Sequence, residues 1–206
     1  MSVPADPTRF AVPTPTSARR TSRQDDLYRR LGELYLRRGF LALTVDETAS
    51  ELRCSKSTIY ALAPTREELL RQVVLDYFRR AADMIETRVA DHEDPVDRLG
   101  AYLTGVSDAV RDASETFMED VVGFGPTREV YEVNAAGAAR RIRELIEAGV
   151  AAGAIRPVRA AFAADLATSA IVRIQQREVR RNTGMTEPDS FDALADLLLD
   201  GLRTRA

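Results

Sequence analysis

The sequence predicts an all-α protein, with nine helices in a small N-terminal helix-turn-helix domain and a larger C-terminal helical domain. After residue 20, apolar residues recur with the 3.6-residue period of an amphipathic helix along most of the chain. Residue pairs typical of helix starts precede these stretches. No segment alternates β-branched and polar residues as a half-buried strand does. Together these observations favour helices throughout.

Residues 1–20 are expected to form a disordered N-terminal arm, because they contain four of the nine prolines and few large apolar residues. The arm ends in a basic stretch, with arginines at 19, 20 and 23. We interpret it as a solvated tail; contact with DNA phosphates or the minor groove is the alternative.

The first helix has one apolar stripe at spacings of three and four residues, formed by Leu27, Leu31, Leu34 and Tyr35. Ser22 is expected to cap its start, with Asp25 at the third helical position. Gly39 is expected to end it, because glycine readily adopts positive φ.

Three cap signals follow. Thr44 and Glu47 have the spacing of a capping box, so a second helix is expected from about Val45. Ser55 is expected to cap a short third helix. Thr65, with Glu68 three residues later, predicts a longer fourth helix that runs to about residue 89.

The rest of the chain predicts five more helices. One starts at Asp94-Pro95, with aspartate as cap and proline at the first helical position. The others are expected at about 114–122, 127–152, 160–181 and 191–202, with a glycine-rich break at 123–125. The domain boundaries expected from this pattern are 1–20 for the arm, 21–68 for the helix-turn-helix domain and 69–206 for a C-terminal helical domain.

The composition argues against several classes of function. The chain has one cysteine, Cys54, and one histidine, His92, so the usual zinc-ligand sets and the Ser/His or Cys/His nucleophile pairs are not available. No apolar run is long enough to cross a membrane, and no secretion signal opens the chain. We therefore expect a cytoplasmic protein that is not an enzyme, binds no membrane, and needs no cofactor or metal.

Charge divides unevenly along the chain. Residues 19–80 contain thirteen basic and nine acidic residues, a net of +4, whereas residues 81–206 have a net of −7. A polyanion such as DNA would be attracted to the first segment and repelled by the second. Solvated helix faces are the alternative explanation, since +4 is modest.

The strongest functional signal lies between residues 45 and 60. A helix-turn-helix needs a small residue where its two helices cross, and Ala49 has that position. It also needs apolar residues from both helices and the turn, here Val45, Leu52, Cys54 and Ile59. We interpret Cys54 as one of these core residues rather than as a redox switch. The second helix would then present Ser55, Lys56, Ser57 and Thr58 to the major groove, where each can contact phosphates or base edges.

With its context, this motif resembles the DNA-binding domain of TetR-type regulators over about residues 22–78. The matching segments are Gly39-Phe40, Thr44 to Ala49, Ser55 to Tyr60 and Pro64 to Leu69. The resemblance implies nine helices, a homodimer through the last two, and a ligand cavity in the C-terminal domain. It also implies phosphate contacts for Thr44, Tyr60 and Arg66 and base contacts for Lys56, Ser57 and Thr58. A core position for the Tyr60 ring is the alternative.

Two departures from the family pattern stand out. Ala61, Leu62 and Ala63 replace residues that often include a phosphate contact. Arg53 occupies the turn where glycine is common; a left-handed conformation there would cost about 1 kcal/mol, and the side chain can reach a phosphate in return.

The sequence of the C-terminal domain contains fewer signals of function than the helix-turn-helix. Candidate effector-binding residues are Tyr102, Phe117, Met118, Val121, Phe124, Tyr131, Phe162, Leu166 and Arg173. Each can instead belong to the core, apart from Arg173, which would need an anionic partner if buried.

The sequence therefore predicts a sequence-specific DNA-binding transcriptional regulator. We expect a repressor that a small apolar or amphipathic effector releases from a pseudo-palindromic operator. An activator or a ligand-independent regulator of the same fold, a helical interaction protein and a small helical enzyme are the alternatives.

Overall fold

The computed structural model describes residues 21–203 as ten α-helices. They are α1 (Ser22–Arg38), α2 (Val45–Glu51), α3 (Lys56–Tyr60), α4 (Arg66–Ala90), α5 (Pro95–Asp112), α6 (Glu115–Gly123), α7 (Gly125–Ala151), α8 (Ala160–Gln175), α9 (Glu178–Thr183) and α10 (Glu187–Leu202). Within this range the one β-type pairing is an isolated bridge between Ile155 and Arg203. The all-α prediction is confirmed. The N-terminal arm lies outside the described residues.

Most helices start where the sequence predicts. Thr44, Ser55, Thr65 and Asp94 each accept a hydrogen bond from a backbone N–H of the first helical turn. The predicted cap of the first helix is wrong by one residue: Thr21 caps α1 and forms a capping box with Gln24. Thr21 lies at the edge of the basic stretch, where two hydroxyl residues in a row made the start ambiguous.

Near the C-terminus the structure has one helix more than expected. The predicted helix at 160–181 ends at Gln175, because Arg177 adopts a left-handed conformation with φ of +59° and α9 begins after it. Arg177 forms ion pairs with Glu115 and Glu119 of α6 and with Glu187 at the start of α10. These contacts accompany the end of α8, and because their partners lie far along the chain the local sequence does not encode them. The last helix also starts earlier than expected, at Glu187, with Thr186 as its cap.

Two hydrophobic clusters form the core. The first contains α1 to α3 and the first half of α4, and α6 and the start of α7 pack into it. The second contains the end of α4 with α5, α7, α8 and α10. Since α4 contributes to both clusters, the boundary expected at residue 68 marks the start of a shared helix rather than a gap in packing.

Helix α6 contacts the N-terminal cluster directly. The Asp120 carboxylate accepts hydrogen bonds from the backbone N–H groups of Phe40 and Leu41, just after α1. Gly39 makes this approach possible: its φ is +73°, and an added Cβ would lie 2.6 Å from Asp120 Oδ2. Its predicted role as the end of the first helix is confirmed, and the close packing of α6 is a second reason for glycine there.

None of the helices among residues 21–203 is long and apolar enough to cross a membrane.

Candidate nucleic-acid interface and ligand cavity

Helices α2 and α3 form the helix-turn-helix unit. Ala49 of α2 and Ile59 of α3 are buried in the N-terminal cluster, with Leu52 between them. Cys54 is half-buried and packs against the same cluster. Burial raises the pKa of the Cys54 thiol, and the nearby positive charge of Arg30 only partly opposes this. A thiol with a raised pKa is poorly reactive, which supports a packing role for Cys54.

The N-terminal part of α3 lies at the surface. Ser55, Lys56 and Ser57 are exposed, and Thr58 is partly exposed. Ser55 Oγ accepts a hydrogen bond from Thr58 N at 3.2 Å and lies 2.8 Å from Ser57 Oγ. Local hydrogen bonds thus hold these hydroxyl groups together on one face, with Lys56 beside them.

Lys56 is engaged in an ion pair. Its Nζ lies 2.6 Å from Asp46 Oδ1 at the start of α2. Both side chains are more than half exposed, so water screens the pair and it is easily broken. In this pair the only lysine of the chain lies beside α2, but the carboxylate holds it only weakly.

Thr44 and Tyr60 are exposed at opposite ends of the unit. The Thr44 hydroxyl forms a capping box with Glu47, whose carboxylate accepts from Thr44 N at 2.8 Å and from Thr44 Oγ1 at 2.7 Å. The hydrogen bonds from Thr44 lower the pKa of Glu47. The Tyr60 side chain is 48% exposed, so its ring is not part of the core.

Arg66 has a different environment from the expected one. Its Nη2 donates to the backbone carbonyls of Phe40 at 2.8 Å and Leu43 at 3.1 Å. The guanidinium group therefore holds the loop between α1 and α2, and this internal contact competes with any phosphate contact. The sequence did not reveal this, because the carbonyls lie more than twenty residues away.

Arg53 adopts the left-handed conformation expected for the turn, with φ of +53°, and its side chain is exposed.

The structure also explains the three residues after Tyr60 that depart from the family pattern. Ala63 is buried, Leu62 packs against the N-terminal cluster, and Ala61 caps the end of α3. Leu62 and Ala63 are therefore core residues rather than surface positions that have lost a contact.

A cavity opens in the C-terminal half between α4, α5, α7 and α8. Its water-accessible volume is about 70 Å³, and it is partly open to solvent. Tyr77, Phe78 and Tyr102 form aromatic walls, and small residues of α4 and α7 leave the room between them. These small residues are Ala81, Ala82, Ala135 and Ala138.

Two amide side chains, Asn134 of α7 and Gln175 of α8, bring polarity to this cavity. The Tyr131 hydroxyl donates a hydrogen bond to Gln175 Oε1. Burial raises the pKa of Tyr131 to about 12, so the hydroxyl keeps its proton at neutral pH. The Tyr77 hydroxyl donates to the carbonyl of Ala109 at 2.7 Å.

Two of the nine predicted effector residues, Tyr102 and Met118, line the cavity, and Tyr131 is adjacent through Gln175. Phe117 and Val121 are fully buried in the N-terminal cluster, and Phe124 packs against it. None of these three residues lines this cavity. They serve instead to attach α6 to the N-terminal cluster.

Three further predicted effector residues lie on the outside of α8. Phe162 is 67% exposed and Leu166 is 55% exposed. Arg173 is also exposed and forms an ion pair with Glu178 at 3.0 Å. These three residues do not line the cavity; amphipathic periodicity does not tell which apolar face of a helix turns inward. Asn134 and Gln175 were missed; the small-residue spacing of Ala135 and Ala138 on α7 was the available signal.

Three large apolar side chains are exposed on α8 and α10. Besides Phe162 and Leu166, Leu197 of α10 is 75% exposed, and the two helices pack against each other. We call Phe162, Leu166 and Leu197 the α8–α10 surface.

The comparisons with known proteins agree on the fold. No protein-family model matches the sequence, and no curated protein matches it significantly. Among solved structures, a protein described as a transcriptional regulator from Saccharomonospora viridis, solved with choline, has a TM-score of 0.72 and 17% identity, covering 90% of this chain and 100% of its own. A TetR-family regulator from Agrobacterium tumefaciens has a TM-score of 0.66 and 17% identity, covering 89% and 98%.

A third similar structure is AibR in complex with isovaleryl coenzyme A and operator DNA. It has a TM-score of 0.59 and 22% identity, covering 84% of this chain and 98% of its own. The similarity extends over most of the chain in each case. The chain therefore has the fold of the TetR-type transcriptional regulators.

Proposed function

We propose that the protein is a sequence-specific DNA-binding transcriptional regulator of the TetR family, a cytoplasmic homodimer that binds a pseudo-palindromic operator. In this proposal it is a repressor, and a small apolar or amphipathic effector in the cavity favours a conformation that does not bind DNA. An activator of the same fold, and a helical interaction protein without ligand-controlled DNA release, are the alternatives.

The observation that carries the proposal is the exposed face of α3. Lys56, Ser57 and Tyr60 are exposed beside one another on a helix that buries its opposite side through Ile59. A short helix with polar ends outward and an apolar anchor inward suits insertion into the major groove. Thr44 and Arg53 lie at the edges of the same unit, where phosphate contacts would fix its position.

Arg66 is the weakest member of the proposed DNA-binding set. Its hydrogen bonds to the carbonyls of Phe40 and Leu43 occupy Nη2. We assign it an indirect role: it fixes the loop that positions Thr44.

The α8–α10 surface supports dimerisation. One short recognition helix contacts too few bases for an adequate specificity, so two copies related by a two-fold axis are needed. Large apolar side chains as exposed as Phe162 and Leu197 are typical of a protein–protein interface when they lie together. The homodimer of the proposal therefore uses α8 and α10.

The cavity supports a ligand-controlled regulator. It lies between α4, which also enters the N-terminal cluster, and the helices of the C-terminal cluster. A ligand that prefers one arrangement of these helices shifts the equilibrium by its differential affinity, and a few kcal/mol is sufficient.

The test is a gel-shift titration on the DNA directly upstream of the gene's own coding region. We expect salt-dependent binding by the wild type, and at least about tenfold weaker binding by the variant with Lys56→Ala and Tyr60→Ala, since one good base contact is worth about 1–3 kcal/mol. Arg143→Ala on the exposed side of α7 is the control for charge, because its partner Glu147 is also on α7. Equal binding by wild type and double variant, or none by either, would refute the proposal.

A substitution of Asp46 is expected to raise DNA affinity and can be tested in the same experiment. Asp46→Asn removes the carboxylate that holds Lys56 and repels nearby phosphates. We expect this variant to bind the same DNA more tightly than the wild type at low salt, with the difference shrinking as salt screens the charges. Asp83→Asn, an exposed position on α4, changes the net charge equally and is expected to have no effect on affinity.

A further inference from the structure

Every described residue that lines the cavity is uncharged. Transfer of a charged ligand from water into such a site is costly unless a charge of opposite sign or several hydrogen bonds compensate for its lost hydration. The lining thus favours a neutral ligand. This inference rests on the proposed function, because it takes the cavity as the effector site.

Three charged residues that act electrostatically on the cavity residue Tyr102, namely Glu86, Arg141 and Glu144, already pair with one another. Arg141 donates to both carboxylate oxygens of Glu86 at 2.8 Å, and to Glu144 at 3.2 Å. Its side chain is only 19% exposed. Breaking a partly buried, bidentate pair to bind a ligand carboxylate would leave Glu86 without its partner, which disfavours anionic ligands.

Three aromatic side chains line the cavity and offer their rings for packing against a ligand. Tyr77 and Phe78 have ring centroids 5.0 Å apart in a tilted arrangement, and Tyr102 contributes a third ring from α5. Aromatic and alicyclic molecules gain most from packing against such rings. Aromatic walls also attract cations, but no carboxylate among the described lining residues would complete a site for a quaternary ammonium ion.

The two amides supply polar groups to the cavity. Gln175 Oε1 accepts from the Tyr131 hydroxyl, which orients the amide and leaves its NH₂ group as a donor at the cavity. Asn134 has the equivalent place on α7, one helical turn before the cavity residue Ala138. Both amides line the cavity, and each can donate a hydrogen bond to an accepting oxygen of a ligand.

We propose that the effector is an uncharged aromatic or alicyclic molecule with a single accepting oxygen, an ester, ketone or ether, bound by the side-chain amides of Gln175 and Asn134. The apolar body packs against Tyr77, Phe78 and Tyr102. Its charged analogues are excluded by the cost of desolvation.

The test measures binding of four naphthalene compounds to the full-length protein by isothermal titration calorimetry, without DNA. They are methyl 2-naphthoate, 2-naphthoate, (2-naphthylmethyl)trimethylammonium and 2-ethylnaphthalene, which share a ring system and differ at one substituent. We expect the ester to bind about tenfold or more tightly than either ion, and severalfold more tightly than the hydrocarbon. Tighter binding of either ion, or no binding by any of the four, would overturn the proposal.

Variants test whether the ester binds in this cavity. Ala138→Trp fills the space and is expected to abolish binding of the ester. Gln175→Leu is expected to remove the preference of ester over hydrocarbon, and Gln175→Glu to favour the ammonium compound. Gln176→Leu, at the next and exposed position, is the matched control and should bind like the wild type. Ester binding that Ala138→Trp leaves intact, in a variant with an unchanged helical circular dichroism spectrum, would also overturn the assignment.

Failure of this inference is distinguishable from failure of the proposed function. Ligand binding is measured without DNA, and DNA binding is measured without ligand. A protein that binds its upstream DNA but prefers an ionic naphthalene refutes only the ligand class. If the protein binds the ester but no DNA, only the proposed function as a DNA-binding regulator is refuted.

Discussion

Arg53 combines an unfavourable backbone conformation with an exposed basic side chain. Its φ of +53° lies in the left-handed region, which costs an L-residue with a Cβ about 1–2 kcal/mol. The turn between α2 and α3 has this geometry because Cys54 N donates to the carbonyl of Ala49 at 2.9 Å. Such a cost at an exposed arginine is consistent with a role on DNA rather than in stability.

Arg53→Gly is therefore expected to raise the free energy of unfolding by up to about 1 kcal/mol, since glycine adopts this conformation without strain but loses more chain entropy on folding. Arg53→Ala removes the same side chain, keeps the strain, and is expected to give no gain. Urea unfolding followed by circular dichroism measures both. If Arg53 also contacts a phosphate, both variants lose DNA affinity to the same extent. A glycine variant no more stable than the alanine variant would contradict the strain argument.

At the scale of elements, α6 attaches to the N-terminal cluster and also pairs with the residue before α9. Phe117 and Val121 anchor it in the N-terminal cluster, Asp120 binds the loop after α1, and Glu119 pairs with Arg177. The sequence predicts the helix and its cap but not these partners, since α1 and α9 lie about eighty and sixty residues away along the chain.

Asp120→Ala is expected to lower the free energy of unfolding by about 1–3 kcal/mol, because it leaves the backbone N–H groups of Phe40 and Leu41 without their acceptor. Glu119→Ala, one residue earlier, breaks an ion pair with an exposed carboxylate and is expected to cost less than about 1 kcal/mol. Thermal and urea unfolding measure the difference. Equal losses from the two variants would mean that the Asp120 contact contributes no more than a surface ion pair.

At the scale of the whole molecule, the proposed homodimer depends on the α8–α10 surface, which would bring two DNA-binding units together. Its apolar side chains are exposed in the single chain, so a polar substitution there should leave the fold intact. The surface also explains why Phe162 and Leu166 looked like cavity residues in the sequence: both roles require apolar side chains at helical spacing.

Leu197→Asp is expected to convert the proposed dimer into a monomer and to weaken binding to the upstream DNA, because each monomer contacts one half-site. Met84→Asp on α4 is the matched control, since Met84 is a large exposed hydrophobic residue away from α8 and α10. Sedimentation velocity gives the oligomeric state and gel shift the affinity. A Leu197→Asp protein that sediments as the wild type does would place the interface elsewhere.

The sequence by itself determined the helical class, most helix starts and the helix-turn-helix, because capping boxes, apolar periodicity and turn residues act within a few residues of one another. Thr44, Ser55 and Thr65 cap the helices that their neighbouring residues predict. Only the tertiary structure decided which apolar residues face the cavity, which lie in the core and which remain exposed. It also decided that Arg66 binds backbone carbonyls, and that Arg177 ends α8. These outcomes depend on partners far along the chain, and a helix with apolar residues on several faces does not reveal which of them its neighbours cover.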